Sequence, residues 1–171
     1  DRGVDEFASA IAVDDSYYYV AGTYLNNNGE FLLIKYNANG DTLWSRRYTT
    51  GYDDWAISVA VDASQNVIML GNSYKQDSTL LVLRKINSNG SLIWTRIRRN
   101  IKTTIGEGVV CDNSNNIYVT GTVENDFDTD LILLKYNSSG DTVWSRKFSS
   151  ILDDYGTSIV LDGAGNIIVT G

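Results

Sequence analysis

The 171-residue chain contains no histidine and no proline. Histidine is the commonest general base near neutral pH and a common metal ligand, so only carboxylates, lysine and tyrosine remain for acid–base chemistry. Without proline, tight turns depend on glycine and asparagine. The single cysteine, Cys111, excludes an intrachain disulfide and a thiolate cluster. Because it lies in an apolar run, we interpret it as a small buried hydrophobic residue.

Positive charge and long apolar runs are also scarce. The chain has 14 Lys and Arg against 21 Asp and Glu, a formal net charge of −7. Nucleic acids and anionic membranes bind clusters of basic residues, so we expect neither as a partner. No apolar run approaches the roughly 20 residues of a membrane span, so we expect no membrane insertion. The composition, 43% hydrophobic and 20% charged, is that of a globular protein.

What the chain does contain is a repeat with a period of 50 residues. The pattern Asn-x-x-Gly-x-x-x-Trp-x-Arg begins at Asn37 and returns at Asn87 and Asn137. Its glycines are Gly40, Gly90 and Gly140, and its tryptophans are Trp44, Trp94 and Trp144. A fixed period of this length indicates that one supersecondary unit has been copied.

Each copy contains up to four short β patterns, which we name a to d in chain order. Patterns b and c are nearly continuous apolar runs, whereas d alternates and carries an arginine. The sequence therefore predicts an all-β fold in one domain, residues 1–171: a β-propeller segment of about three and a half four-stranded antiparallel blades. The expected blades are 3–50, 51–100, 101–150 and a half-blade 151–171. A β-sandwich is the alternative, although sandwiches do not repeat at a fixed four-strand period.

Residues 53–71 and 153–171 share a longer pattern, Asp-Asp-x-x-x-x-(Val/Ile)-x-x-Asp-x-x-x-Asn, followed by an apolar run and Gly. This pattern resembles the SBBP-type β-propeller repeat family. The resemblance implies a propeller in a secreted or cell-surface protein of bacteria or archaea. The Gly40 to Trp44 spacing is also similar to the tryptophan docking motif of quinoprotein (PQQ-type) propellers, but the Asp-x-x-x-Asn hairpin fits only the SBBP type.

Paired acids open three of the four copies, at Asp5/Glu6, Asp53/Asp54 and Asp153/Asp154, while the third copy has Thr103-Thr104. Paired carboxylates can serve as general acid and base or bind Ca²⁺. Catalysis needs one site and not a ring of copies, so we favour capping of backbone amides in the loop before strand a. Calcium is the alternative at these acids and in the acidic loop 124–130, which surrounds Phe127. The candidate calcium ligands are Asp53, Asp54, Asp153, Asp154, Asp126, Asp128 and Asp130.

Other repeated residues have structural interpretations. An aspartate follows each strand a and is predicted to accept hydrogen bonds from turn amides: Asp14, Asp62, Asp112 and Asp162. The glycines of the c–d turn are predicted to take a positive φ. The tryptophans are predicted to pack between neighbouring blades, although such a ladder can also stack on sugars.

No residue set predicts catalysis, so we expect a non-catalytic extracellular or cell-surface scaffold for structural assembly or protein–protein interaction. Three and a half blades cannot close a ring, so we expect self-association, another propeller chain or further sequence to complete it. The alternatives are a lectin-like module that binds a glycan or surface protein, and a fragment of a propeller hydrolase, lyase or quinoprotein. We predict no cofactor except, as the alternative above, Ca²⁺. The basic segment 96–102 is a further candidate contact.

Overall fold

A computed structural model describes residues 3–99, 102–126 and 128–171. These residues form fourteen β-strands and no helix, so no described segment provides a helix able to cross a membrane. The strands are β1 Asp5–Val13, β2 Tyr17–Asn26, β3 Asn28–Asn37, β4 Thr42–Tyr48, β5 Asp53–Val61, β6 Val67–Lys75, β7 Ser78–Ile86, β8 Leu92–Arg98, β9 Thr104–Cys111, β10 Ile117–Glu124, β11 Thr129–Tyr136, β12 Thr142–Phe148, β13 Ser158–Leu161 and β14 Ile167–Thr170.

Consecutive strands pair antiparallel into three four-stranded sheets and one two-stranded sheet. Sheet 1 contains β1–β4, sheet 2 β5–β8, sheet 3 β9–β12 and sheet 4 β13–β14, and strand order follows chain order in each. The predicted all-β class and the four-stranded antiparallel unit are therefore confirmed. The apolar b and c runs form the two central strands of each complete sheet.

The sheets stack face to face in chain order. Their first strands lie side by side, with β1 against β5, β5 against β9 and β9 against β13. Apolar side chains fill each layer between two sheets, and burial of this surface is the main stabilising contribution to the stack. The layer between sheets 1 and 2 includes Tyr19, Leu33, Val67 and Met69. The next includes Leu70, Leu83, Val119 and Leu134, and the third Tyr118, Leu133 and Ile159.

The hairpins between the second and third strands of sheets 1 and 2 are tight. In sheet 1, β2 and β3 are separated by Asn27 alone, at φ 64°. Asparagine tolerates this left-handed backbone, so pairing continues up to the turn. In sheet 2, β6 continues to Lys75 and β7 begins at Ser78.

Candidate functional site

The paired acids of sheet 2 lie inside β5, which corrects their predicted place in the preceding loop. They belong to the strand because β6 is long enough to pair with them, Asp54 opposite Ser73. Asp54 is fully buried, and its carboxylate accepts hydrogen bonds from the Thr50 N–H and the Thr50 hydroxyl, both at 2.6 Å. Asp53 accepts a 2.7 Å hydrogen bond from the Gly29 N–H of sheet 1. One acid closes its own turn and the other joins two sheets.

The acid pair of sheet 4 divides its contacts in the same way. Asp153 accepts a 2.9 Å hydrogen bond from the Thr129 N–H of sheet 3, and Asp154 accepts one of 2.6 Å from the Ser150 N–H. Both residues precede β13, as predicted. In sheet 1, Asp5 and Glu6 are exposed residues of β1.

The third copy makes its inter-sheet contact differently. Its Thr104 is fully buried, and the Thr104 hydroxyl has no hydrogen-bond partner among the described residues. Sheets 2 and 3 are joined through the buried side chain of Asn72. Its Nδ2 donates to the Gly106 carbonyl at 3.1 Å, and its Oδ1 accepts from the Gly106 N–H at 2.8 Å. A bidentate amide contact thus stands where, between sheets 1 and 2, the Thr23 hydroxyl accepts a 3.3 Å hydrogen bond from the Ala56 N–H.

Two lysines of the chain, Lys147 and Lys102, contact carboxylates of the acidic loop 124–130. The buried carboxylate of Asp130 accepts hydrogen bonds from Lys147 Nζ at 2.7 Å and from Asn125 Nδ2 at 2.6 Å. The Lys147 contact is the leading reason that the pKa of Asp130 lies below its usual value. Lys102 Nζ lies 3.4 Å from Asp126. In the described part of the chain, no three Cys, Asp or Glu are grouped to hold a metal ion, and Phe127 lies outside that part.

The aspartates that follow the first strands organise the next turns. Asp112 accepts hydrogen bonds from the N–H groups of Ser114 and Asn116, both at 2.9 Å, and from the Tyr118 hydroxyl at 3.0 Å. Burial opposes ionisation of Asp112, but these bonds and that from the Asn116 side chain outweigh it and lower its pKa. Asp14, Asp62 and Asp162 accept equivalent turn amides.

The neighbouring thiol of Cys111 is protonated and unreactive at neutral pH. Burial raises its pKa to about 12, so it stays protonated at neutral pH, and it packs against the layer between sheets 2 and 3. This environment matches its interpretation as a small hydrophobic residue.

The c–d turns of sheets 2 and 3 each pack against the sheet before them. Trp44 Nε1 and Lys35 Nζ of sheet 1 both donate to the Ser88 carbonyl of sheet 2, each at 3.2 Å. Tyr48 adds a 2.8 Å hydrogen bond from its hydroxyl to the Gly90 carbonyl. We call Lys35, Trp44 and their counterparts in later sheets the turn-binding pair. Their shared acceptor fixes the depth at which the turn lies between two sheets.

The same contact joins sheets 2 and 3. Trp94 Nε1 and Lys85 Nζ donate to the Ser138 carbonyl at 3.3 and 3.2 Å. Arg96 of the basic segment adds a 2.8 Å hydrogen bond from Nε to the Gly140 carbonyl. Two tryptophans of the predicted ladder therefore pack between sheets, and their indole N–H groups are already bonded to protein. Asn100 and Ile101 of the basic segment lie outside the described residues.

Sequence reasoning missed Arg84, which is buried between sheets 1 and 2. Its guanidinium lies 5.1 Å from the centre of the Phe31 ring and 5.7 Å from that of Tyr48. Burial lowers the pKa of Arg84, and the negative charge of Asp54 partly offsets this shift. The available signal was its departure from the repeat, since Ile34 and Leu134 occupy the matching positions of the other sheets.

The outer face of sheet 1 leaves apolar side chains uncovered; we call it the leading face. Ile11 and Val13 are 61% and 59% exposed. Counted from the aspartate after the strand, Ile11 matches Val59 and Val109, which are 8% and 4% exposed because the previous sheet covers them. Beside them runs a groove of about 210 Å³ whose lining includes Val20, Leu32, Ile34 and Tyr36.

The outer face of sheet 4 is uncovered in the same way; we call it the trailing face. Val160 and Ile168 are 51% and 49% exposed. Ile168 matches Ile68, which is fully buried against sheet 3. The two ends of the stack therefore present the two complementary sides of an interface that the chain builds internally between its own sheets.

Comparison with known proteins gives a likeness in fold alone. No family model matches the chain, and no curated protein matches it. A crystal structure of a protein of unknown function from Bacteroides caccae is similar with a TM-score of 0.58 and 11% identity, over 99% of this chain and 54% of that one. This chain thus spans about half of that protein. The tail fiber of Staphylococcus aureus phage P68 matches at a TM-score of 0.32 and 8% identity, over 85% of this chain and 44% of that one.

Proposed function

We propose that the chain is a β-propeller-type repeat scaffold that acts by assembly, its leading face binding another sheet of the same kind. The observation that carries this proposal is the contrast between Ile11, 61% exposed, and its counterparts Val59 and Val109, 8% and 4% exposed. The same positions serve as an interface in the middle of the stack and are uncovered at its end. Exposed apolar faces of this kind are typical of interaction sites.

The sheet geometry supports a propeller-like arrangement. First strands lie side by side, fourth strands form the outer edge, and each sheet covers the face of the one before it. Repeated stacking of this kind presents a different face at each end, so association through it is head-to-tail. The partner is a second chain or further sheets of the same repeat type. Secretion or cell-surface display is part of the proposal and rests on the SBBP resemblance.

A lectin-like role is less favoured by the geometry. A ladder that stacks on sugars needs open aromatic faces, whereas Trp44 and Trp94 are packed against the turns of the next sheets. The repeated carboxylates also hold backbone amides, which supports a scaffold without catalysis.

Sedimentation velocity across a concentration series tests the assembly role. We expect association that rises with concentration and is weakened at least tenfold by Ile11→Asp, which buries a charge in an apolar interface. Ile93→Asp is the matched control, because Ile93 is 50% exposed on β8, the edge strand of a middle sheet. An 18.9 kDa monomer at every concentration, or equal effects of the two variants, would contradict the proposal.

A further inference from the structure

A cleft opens between the outer strands of sheets 2 and 3, β8 and β12; we call it the basic cleft. Two neighbouring cavities, of about 390 and 210 Å³, lie along it, and both are lined by Arg98 and Arg99. Arg96 lines the larger cavity, and Lys147 lines the smaller one. Four cationic residues therefore border one cleft in a chain of net charge −7. Both sheets that form this cleft are complete.

The charges of these arginines are largely without a carboxylate partner. Arg96 donates to the Gly140 carbonyl, and in the described structure its closest carboxylate, on exposed Asp141, is 3.9 Å away. Within residues 3–99, 102–126 and 128–171, neither Arg98 nor Arg99 forms an ion pair. A cleft lined by charge of one sign concentrates ligands of the opposite sign, so the basic cleft attracts anions.

The basic cleft also departs from the repeat. Tyr48 occupies the position of Arg98 in sheet 1, and its hydroxyl donates to the Gly90 carbonyl of the next turn. In sheet 2 the matching carbonyl, that of Gly140, is bonded to Arg96 instead. The guanidinium of Arg98 is therefore not needed to hold the turn, and a charged group stands where the interface between sheets 1 and 2 has a phenol.

Hydrogen-bond donors enter the basic cleft from both sheets. Arg98 Nη2 of β8 donates to the Ser145 hydroxyl of β12 at 3.3 Å, and Lys147 lies two residues further along β12. Lys147 Nζ contacts Asp130 at 2.7 Å, but an ammonium group has three N–H donors and can bind a second acceptor. The oxygens of a tetrahedral anion point in several directions and can meet donors on two walls. Those of a carboxylate lie in one plane.

We infer that the basic cleft binds a doubly charged tetrahedral oxyanion, the head group of a phosphate or sulfate ester. Arg98 and Arg99 bind its oxygens from β8, where the two cavities meet, and Lys147 contacts it from β12. The arginine fork matches the spacing of such oxygens. The larger cavity falls within the range of small-molecule sites, about 300–1,000 Å³, so it also accommodates the organic part of an ester. This site is separate from the leading and trailing faces.

Titration calorimetry of the full chain with inorganic phosphate tests the site, at constant ionic strength and about pH 8, where phosphate is mostly the dianion. Sulfate and acetate are titrated in parallel. We expect saturable binding of phosphate and sulfate, and binding of acetate at least about tenfold weaker because it has one charge and a planar pair of oxygens. The tighter of the two tetrahedral ions identifies the ester. The melting temperature should rise with its concentration, because a ligand of the folded state stabilises it.

Two variants and a matched control assign the binding to the basic cleft. Arg99→Gln removes the charge of an exposed side chain, so the fold is kept and we expect phosphate binding to weaken about tenfold. Arg98→Tyr introduces the residue of sheet 1 and should weaken binding to a similar degree. Arg146→Gln is the control. It removes the same charge from β12, but Arg146 lies over the Trp144 ring and does not line either cavity, so affinity should be unchanged.

The inference is overturned if phosphate does not bind saturably, if acetate binds as tightly, or if Arg99→Gln binds phosphate as the wild type does. Equal weakening by Arg146→Gln would show attraction to the positive charge of the whole edge and would also overturn it. Phosphate binding by a chain that remains monomeric supports the site and contradicts the assembly role. Association that depends on Ile11, without phosphate binding, overturns the site and leaves the assembly role intact.

Discussion

The Asp53 carboxylate of sheet 2 lies 2.7 Å from the backbone nitrogen of Gly29 in sheet 1, 24 residues earlier in the chain. The pair Asp153 and Thr129 repeats this relationship between sheets 4 and 3, at the same separation of 24 residues. A hydrogen bond from a backbone N–H to a charged acceptor is stronger than one to a neutral acceptor. The first acid of the pairs in sheets 2 and 4 is therefore a cross-link between consecutive sheets, placed at the same point of the repeat.

Replacing this acid should matter only where a previous sheet is present. We expect Asp53→Ala to lower the free energy of unfolding by about 1.5–3 kcal/mol, because the Gly29 N–H loses its charged acceptor. Asp5→Ala is the matched control, since Asp5 is the same repeat residue on exposed β1 and should change stability by no more than about 0.5 kcal/mol. Urea unfolding measures both. Equal losses would show that the acid acts within its own sheet.

The c–d turn provides a second matched pair, because its glycine occurs both docked and undocked. Gly40 and Gly90 have φ of +85° and +83°, but an added Cβ meets nothing within 4 Å at Gly40 and meets Arg46 Cγ at 2.9 Å at Gly90. We expect Gly40→Ala to cost about 1–2 kcal/mol for the left-handed backbone alone. Gly90→Ala should cost about 1 kcal/mol more in urea unfolding. A smaller loss at Gly90 would contradict close docking of the turn.

The repeat made much of the local structure predictable. Turn glycines, the aspartates after each first strand and the inward tryptophans follow from patterns within about twenty residues, where backbone geometry decides the outcome. The acceptors of the inter-sheet bonds could not be predicted. Which carbonyl Trp44 meets depends on how two sheets stack, and Ser88 lies 44 residues away. The propeller arrangement as a whole stays a prediction.

Departures from the repeat were the other limit. Arg84 replaces an apolar residue of the repeat, and Thr104 replaces a carboxylate, yet both are buried. Burial of such groups depends on neighbouring sheets and not on local pattern. In each case the sequence contained the signal, a polar residue that interrupts a repeated position, but not its consequence, a polar atom without a hydrogen-bond partner in the described structure.

The unpartnered hydroxyl of Thr104 predicts a stabilising substitution. Thr104→Val has nearly the same shape and removes a buried donor whose hydrogen-bonding capacity is unused. We expect a gain of about 1 kcal/mol in the free energy of unfolding. Thr120→Val is the control and should destabilise, because the buried Thr120 hydroxyl donates to the Ile132 carbonyl at 3.3 Å. A loss of stability in Thr104→Val would mean that its hydroxyl is bonded in solution.

Calcium should have little effect on stability. The carboxylates of Asp53 and Asp54 are occupied by backbone and hydroxyl donors, and Asp130 is bonded to Lys147. A cation would have to displace these donors. We expect the melting temperature to be the same in chelator and in millimolar Ca²⁺. A higher melting temperature in Ca²⁺ than in chelator, lost in Asp128→Asn, would instead place a calcium site in the acidic loop.

The turn held by Asp112 should give part of the stability its pH dependence. The folded pKa of Asp112 is lowered, so its contribution is fully present above the unfolded value near 4 and is lost as pH falls through the lower folded value. We expect Asp112→Asn to be less stable than wild type by about 1–2 kcal/mol at pH 7. The difference should shrink toward about pH 2–3. Urea unfolding at each pH measures it. Asp77→Asn, at an exposed turn residue, is the control and should have the stability of the wild type at every pH. A loss of stability in Asp112→Asn that stays constant across the pH range would rule out the charge of the carboxylate as the cause.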